Sequence, residues 1–183
     1  MKKKSTKELL ADSFWELAEK VPINKITIAN ITDNCEVTQP TFYRYFKDKY
    51  DMIAWIYIRE AEKNVGKIGT DGYVWKDTLR DGMRFYDENR NFMVNALKHT
   101  SGRDSFLFQM SDMNMRFIED EIKRKLKVKE CPQDLTAIAR MFCYGTNQFL
   151  YDWLIKSSDL SCEQVADLME KSVPEVLRPF LCE

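Results

Sequence analysis

Apolar residues recur at three- and four-residue intervals along most of the chain, the period of helices with one buried face. Leu10, Phe14, Leu17, Ala18 and Val21 form the first stripe. Ser5 and Glu8 open it with the spacing of a capping box, and Pro22 closes it. A second helix is predicted over 27–34 and a third over 38–46. Ile26 with Ile31, and Val37 with Phe42, have the spacing of hydrophobic staples at the two N-termini. Pro40 falls in the first turn of the third helix, where a missing N–H costs nothing. Asp48 is placed to cap a longer helix over 49–63. The stretch 66–72 then holds three of the six glycines and is the expected hinge. Beyond it the pattern predicts helices over 75–89, 91–98 and 105–125, and a long one from Pro132 to about 156. A second capping box, Ser161 with Gln164, opens a last helix that meets Pro174 and Pro179.

Composition fits this picture. Only six Gly and five Pro occur in 183 residues, and no Gly precedes Gly66. The hydrophobic fraction of 44% is enough for a packed core. The expected fold is all-α, divided into a three-helix N-terminal unit over 1–48 and a C-terminal helical bundle over 49–183. The basic Met1-Lys-Lys-Lys start runs into an amphipathic pattern, not an apolar leader, and no segment is apolar enough to span a membrane. A cytoplasmic protein with no membrane partner is expected. Five scattered Cys without a C-x-x-C pair read as free thiols.

The chemistry of catalysis is missing from the sequence. A single His, His99, excludes a multi-His metal site. No P-loop, G-x-S-x-G motif or isolated carboxylate pair is present, so neither an enzyme nor a cofactor is expected. Charge is nearly balanced, yet residues 1–50 hold nine basic and seven acidic residues, a net of +2 on a chain of net -1. That tilt permits nucleic acid at the N-terminal end.

Two short helices joined by a tight turn describe a helix-turn-helix. With Phe42 and Phe46 inward, Pro40, Thr41, Tyr43 and Arg44 point outward, and Gln39 stands at the helix N-terminus. Gln can pair with adenine, Arg with guanine, and Thr and Pro can pack on thymine methyls. Tyr43, Thr27 and Lys49 suit phosphates, and Lys2, Lys3 and Lys4 could add a basic arm.

The run Thr38-Gln-Pro-Thr-Phe-Tyr-Arg-Tyr-Phe-Lys-Asp-Lys-Tyr50, with the preceding Lys25-Ile-Thr-Ile-Ala-Asn-Ile, resembles the signature of the TetR family of bacterial regulators. The resemblance covers roughly residues 5–60. It implies a DNA-binding domain, a helical ligand-binding domain and a homodimer on a palindromic double-stranded operator, most simply a repressor released by a small molecule. It places DNA contacts on Thr27, Thr38, Gln39, Pro40, Thr41, Tyr43, Tyr45 and Lys49, and the geometry above adds Arg44. The family commonly has Gly where this chain has Glu36. If that residue needs positive φ, Glu costs about 1 kcal/mol relative to Gly. The aromatic pattern Gly72-Tyr-Val-Trp, Phe85-Tyr and Tyr144-Gly…Leu150-Tyr-Asp-Trp is similar to the branch that includes regulators of dihydroxyacetone kinase operons. Some of that branch are thought to answer to a protein coactivator, which stands as the alternative input.

For the bundle, Phe85, Phe92, Met93, Phe106, Met110, Met113 and Phe117 are the candidate apolar lining of a cavity. Tyr86, Tyr144 and Asn147 are its candidate polar groups, and His99 falls in an exposed turn. By resemblance the last two long helices, over about 133–156 and 161–180, form the dimer interface. Tyr144, Gln148, Tyr151 and Ile155 would line one stripe, and Val165, Leu168 and Ser172 the other.

Overall fold

The computed structural model describes residues 4–102, 105–156 and 158–182. Lys2 and Lys3 of the expected basic arm lie outside the described residues. Among the described residues every regular element is a helix: α1 (Thr6–Ala18), α2 (Ile28–Asn34), α3 (Gln39–Tyr43), α4 (Lys49–Val65), α5 (Trp75–Glu88), α6 (Arg90–Lys98), α7 (Phe106–Leu126), α8 (Gln133–Ile155), α9 (Cys162–Lys171) and α10 (Arg178–Leu181), with short 3-10 turns at Ile23–Lys25 and Glu175–Leu177.

The caps behave as the sequence predicts. Ser5 and Glu8 close a reciprocal capping box, and so do Ser161 and Gln164. Asp48 accepts from the amides of Tyr50 and Asp51 to start α4. Thr27 forms a further box with Asn30. Both staples place their apolar partners in the core, where Ile26, Ile31 and Phe42 are buried.

Three boundaries differ from expectation. α1 stops at Ala18, which leaves Val21 exposed. α3 is only five residues, because the Arg44 and Tyr45 amides bond back three residues and tighten the chain before Phe46. The helix opened by Ser161 ends at Lys171, ahead of Pro174, which lacks the N–H to continue it and disfavours helical backbone in the residue before it.

α1, α2, α3 and the first half of α4 share one continuous core with α5, α6, α9, the start of α7 and the end of α8. α4 continues into the bundle, packing on α5 and α7; α5 lies along α9, and α7 along α8. The two parts are fastened together. The Trp15 ring of α1 stacks on Phe92 of α6 at 3.9 Å between centroids. Asn95 of α6 accepts from the Ile23 amide at 3.0 Å and donates to the carbonyls of Ala18 and Val21. Trp55 of α4 is flanked by the Lys7 ammonium at 4.6 Å and the Arg59 guanidinium at 4.9 Å.

Candidate DNA-binding face and effector cavity

Phe42 and Phe46 anchor the third helix and the turn after it, and both are buried. That orientation leaves Gln39, Pro40, Tyr43, Arg44 and Tyr45 exposed, with Thr41 half-buried between them. Thr38 makes no capping bond with its side chain; its hydroxyl lies 2.9 Å from that of Thr41. Thr27 is exposed at the start of α2, its hydroxyl held by Asn30 at 2.7 Å. Thr27 on the second helix and the exposed residues of the third helix and its following turn thus present polar and aromatic groups to solvent. Arg44 makes no ion pair or side-chain hydrogen bond among the described residues, so its five donors remain available.

Lys49 does not join that surface. Its ammonium donates to the carbonyls of Ile23, Asn24 and Ile26 at 2.8, 3.2 and 2.7 Å. Burial lowers its pKa. Lys49 thus ties the turn between α1 and α2 to the start of α4, and its ammonium is engaged within the protein. Lys4 is also engaged, in an exposed pair with Asp12. Glu36 ends the turn between α2 and α3 at φ 55°, the left-handed conformation that favours glycine.

A cavity of about 120 Å³ opens inside the bundle. α4 supplies Tyr57, Glu60, Ala61, Asn64 and Val65; α5 supplies Trp75, Thr78, Leu79, Gly82, Met83, Phe85 and Tyr86. Met113, Asn114, Phe117 and Ile118 of α7 close one side, and Phe142, Cys143, Thr146, Asn147 and Leu150 of α8 another, with Met169 of α9. Trp75 and Phe117 stack 5.6 Å apart and nearly parallel. The lining is largely apolar. Burial raises the Tyr57 hydroxyl and the Cys143 thiol each to about 12, and pushes Tyr86 well up, so all three are neutral at physiological pH.

Two family models match the chain. Residues 12–55 match the bacterial regulatory proteins of the tetR family, and residues 74–175 match a TetR-type transcriptional regulator C-terminal region. The chain belongs to the TetR family.

A curated relative, the HTH-type dhaKLM operon transcriptional activator DhaS of Lactococcus lactis subsp. lactis, is 25% identical over 120 residues. That match covers 65% of this chain and 64% of the relative, a little under two thirds of its length. Among solved structures, the dihydroxyacetone kinase operon activator DhaS is similar at a TM-score of 0.61 and 19% identity, over 96% of this chain and 98% of that one. A TetR transcriptional regulator from Rhodococcus sp. RHA1 gives a TM-score of 0.63 at 12% identity, over the same shares. These two likenesses show the fold. The chain is a TetR-type transcriptional regulator, of a family that binds DNA as dimers. Among the described residues no helix is long and apolar enough to cross a membrane.

The TetR architecture sorts the expected bundle residues. Phe85, Tyr86, Met113, Phe117 and Asn147 line the cavity. Phe92, Met93, Phe106 and Met110 do not: they are buried in solid packing, Phe92 against Phe14 and Trp15, Phe106 edge-on to Tyr57. Those four lie on α6 and the first turns of α7, outside the cavity's lining. Tyr144 is half exposed on the outer face of α8, turned away from the cavity. Among the lining residues that periodicity missed are Tyr57, Trp75, Thr78 and Asn114. One signal pointed at α5: a glycine inside a helix, Gly82, where an added methyl group would meet no atom within 4 Å.

The expected dimer stripes are also redrawn. Gln148, Leu168 and Ser172 are exposed, whereas Tyr151 and Ile155 are half-buried against the protomer's own core. Val165 is fully buried inside the protomer and is unavailable to a partner. The face left open on α8 runs through Met141, Tyr144, Gln148 and Phe149, with Met141 67% exposed.

Proposed function

We propose that the protein is a homodimeric regulator that binds an inverted-repeat operator and is controlled by an effector in the bundle cavity. Gln39, Pro40 and Arg44 read base edges in the major groove. Thr27, Thr38, Thr41, Tyr43 and Tyr45 hold the flanking phosphates. The dimer forms through the open face of α8, Met141, Tyr144, Gln148 and Phe149, with Leu168 and Ser172 adding to it. The boundary between the two functional units falls within α4.

The observation that carries this reading is the double duty of α4. Its Met52, Ile53 and Ile56 are buried in the same core as the DNA-binding helices, while Tyr57, Glu60 and Asn64 line the cavity one turn further on. A ligand that prefers one tilt of α4 therefore changes the separation of the two recognition helices. A preference of about 1–3 kcal/mol is sufficient coupling. In the simplest form the effector releases a repressor. The relative's name as an activator favours a second reading, in which the same movement, or a protein coactivator, turns transcription on.

Selection of bound fragments from the source genome by the purified protein, at stated salt, tests the proposal. An enriched inverted repeat with half-sites about one DNA turn apart is expected. No enrichment by a folded dimer supports the coactivator reading and rejects autonomous operator binding.

A further inference from the structure

Four buried side chains and the half-buried Asn114 cross the bundle in one hydrogen-bonded line. Tyr86 of α5 meets Tyr57 of α4 at 2.8 Å, and Tyr57 reaches the Asn114 carbonyl oxygen of α7 at 3.5 Å. The Asn114 amide donates to Asn147 Oδ1 of α8 at 3.2 Å, and Asn147 Nδ2 donates to Ser111 Oγ at 2.9 Å. Ser111 ends the line on the Leu107 carbonyl at 2.9 Å.

The far end sets the direction of every link. A carbonyl only accepts, so the Ser111 hydroxyl donates to it and must accept from Asn147. Asn147 then presents its oxygen to Asn114, and Asn114 presents its own oxygen to Tyr57. With the Tyr57 proton committed to Asn114, the Tyr86 proton goes to Tyr57. Tyr86 heads the line, and nothing among the described residues donates to its oxygen. Its one remaining capacity is to accept.

Charge in the cavity narrows the ligand further. No Lys, Arg or His lines it. Its one carboxylate, Glu60, is already paired with Arg59 at 2.9 Å and Lys63 at 2.6 Å. An anion would be buried without a counter-charge, and a cation would find Glu60 already neutralised. The stacked Trp75 and Phe117 give the wall a flat aromatic panel.

We infer that the effector is a neutral, mainly apolar molecule carrying a hydroxyl or N–H group, which donates to the Tyr86 oxygen at the head of this line. The inference rests on the reading of the cavity as the effector site. Because Tyr57 is the line's member on α4, the same contact reports ligand occupancy to the helix that carries the DNA-binding domain.

The test is calorimetric titration of the full-length protein and of Tyr86→Phe with para-ethylphenol, ethylbenzene and para-ethylbenzoate. Para-ethylphenol should bind the wild type, and Tyr86→Phe should weaken it roughly three- to tenfold, the worth of one neutral hydrogen bond. Ethylbenzene should bind both proteins alike, which shows that the variant keeps the cavity. The benzoate should bind neither. The inference is overturned if Tyr86→Phe leaves the phenol unchanged, if it weakens phenol and ethylbenzene equally, if the benzoate binds best, or if no probe binds. Binding of the same preparations to the selected genomic repeat is read separately, so loss of the ligand inference and loss of the regulator reading give different results.

Discussion

Lys49 and Arg44 are both cations near the expected DNA face, and their surroundings give them opposite roles. Arg44 is exposed and unpaired, while Lys49 satisfies three carbonyls of the turn before α2. Truncating Lys49 strands those carbonyls. Lys49→Ala should therefore lower the free energy of unfolding by about 1–3 kcal/mol in a denaturant titration. The salt slope of DNA binding should stay within error of the wild type. A slope reduced by about one unit with unchanged stability would return Lys49 to the phosphate set. Glu36 is the second residue whose backbone decides its effect. At φ 55° it occupies a conformation that costs an L-residue about 1–2 kcal/mol, partly offset in glycine by a floppier unfolded chain. Glu36→Gly should raise stability by up to about 1 kcal/mol, read as a higher denaturation midpoint with the same m-value. A drop in midpoint would show that the Glu36 side chain contributes more than its backbone costs.

At the level of elements, the caps and periods of the sequence were reliable guides because they are local. Ser5 with Glu8, Asp48, and Ser161 with Gln164 each start the helix that their spacing implies. Cavity lining was not legible in the same way. Phe85 and Phe92 look alike in sequence, yet one borders space and the other is stacked on Trp15. Which side of a helix meets a void depends on how five helices pack, and no local pattern encodes that. The same holds for Val165, whose stripe fits a dimer seam but serves the contact of α9 with α5. Lys49 shows the limit at the DNA face, since its partners lie more than twenty residues away in sequence. Gly82 is where element and cavity meet. A glycine within α5 costs about 1 kcal/mol relative to alanine, and the space beside it is open. Gly82→Ala should stabilise the protein by about 0.5–1 kcal/mol in thermal or denaturant unfolding. Destabilisation would mean that α5 is held closer to its neighbours than the structure has it.

Across the whole molecule, the proposed dimer rests on the open face of α8, where a second copy would supply the reader of the second half-site. Met141 and Tyr144 are large, exposed and one turn apart on α8. Met141→Asp combined with Tyr144→Asp should convert the dimer to a monomer in analytical ultracentrifugation while the helical circular dichroism signal is kept. Persistence of the dimer would move the interface elsewhere on the bundle. The DNA face carries the regulatory reading. Its decisive measurement is the affinity of wild type and Arg44→Ala, at one fixed salt concentration, for the selected inverted repeat and for its single-base variants. The expected result is a loss of about 1–3 kcal/mol with discrimination flattened at one position in each half-site. Equal affinities and an unchanged base preference would contradict the assignment of the third helix as the reader of DNA.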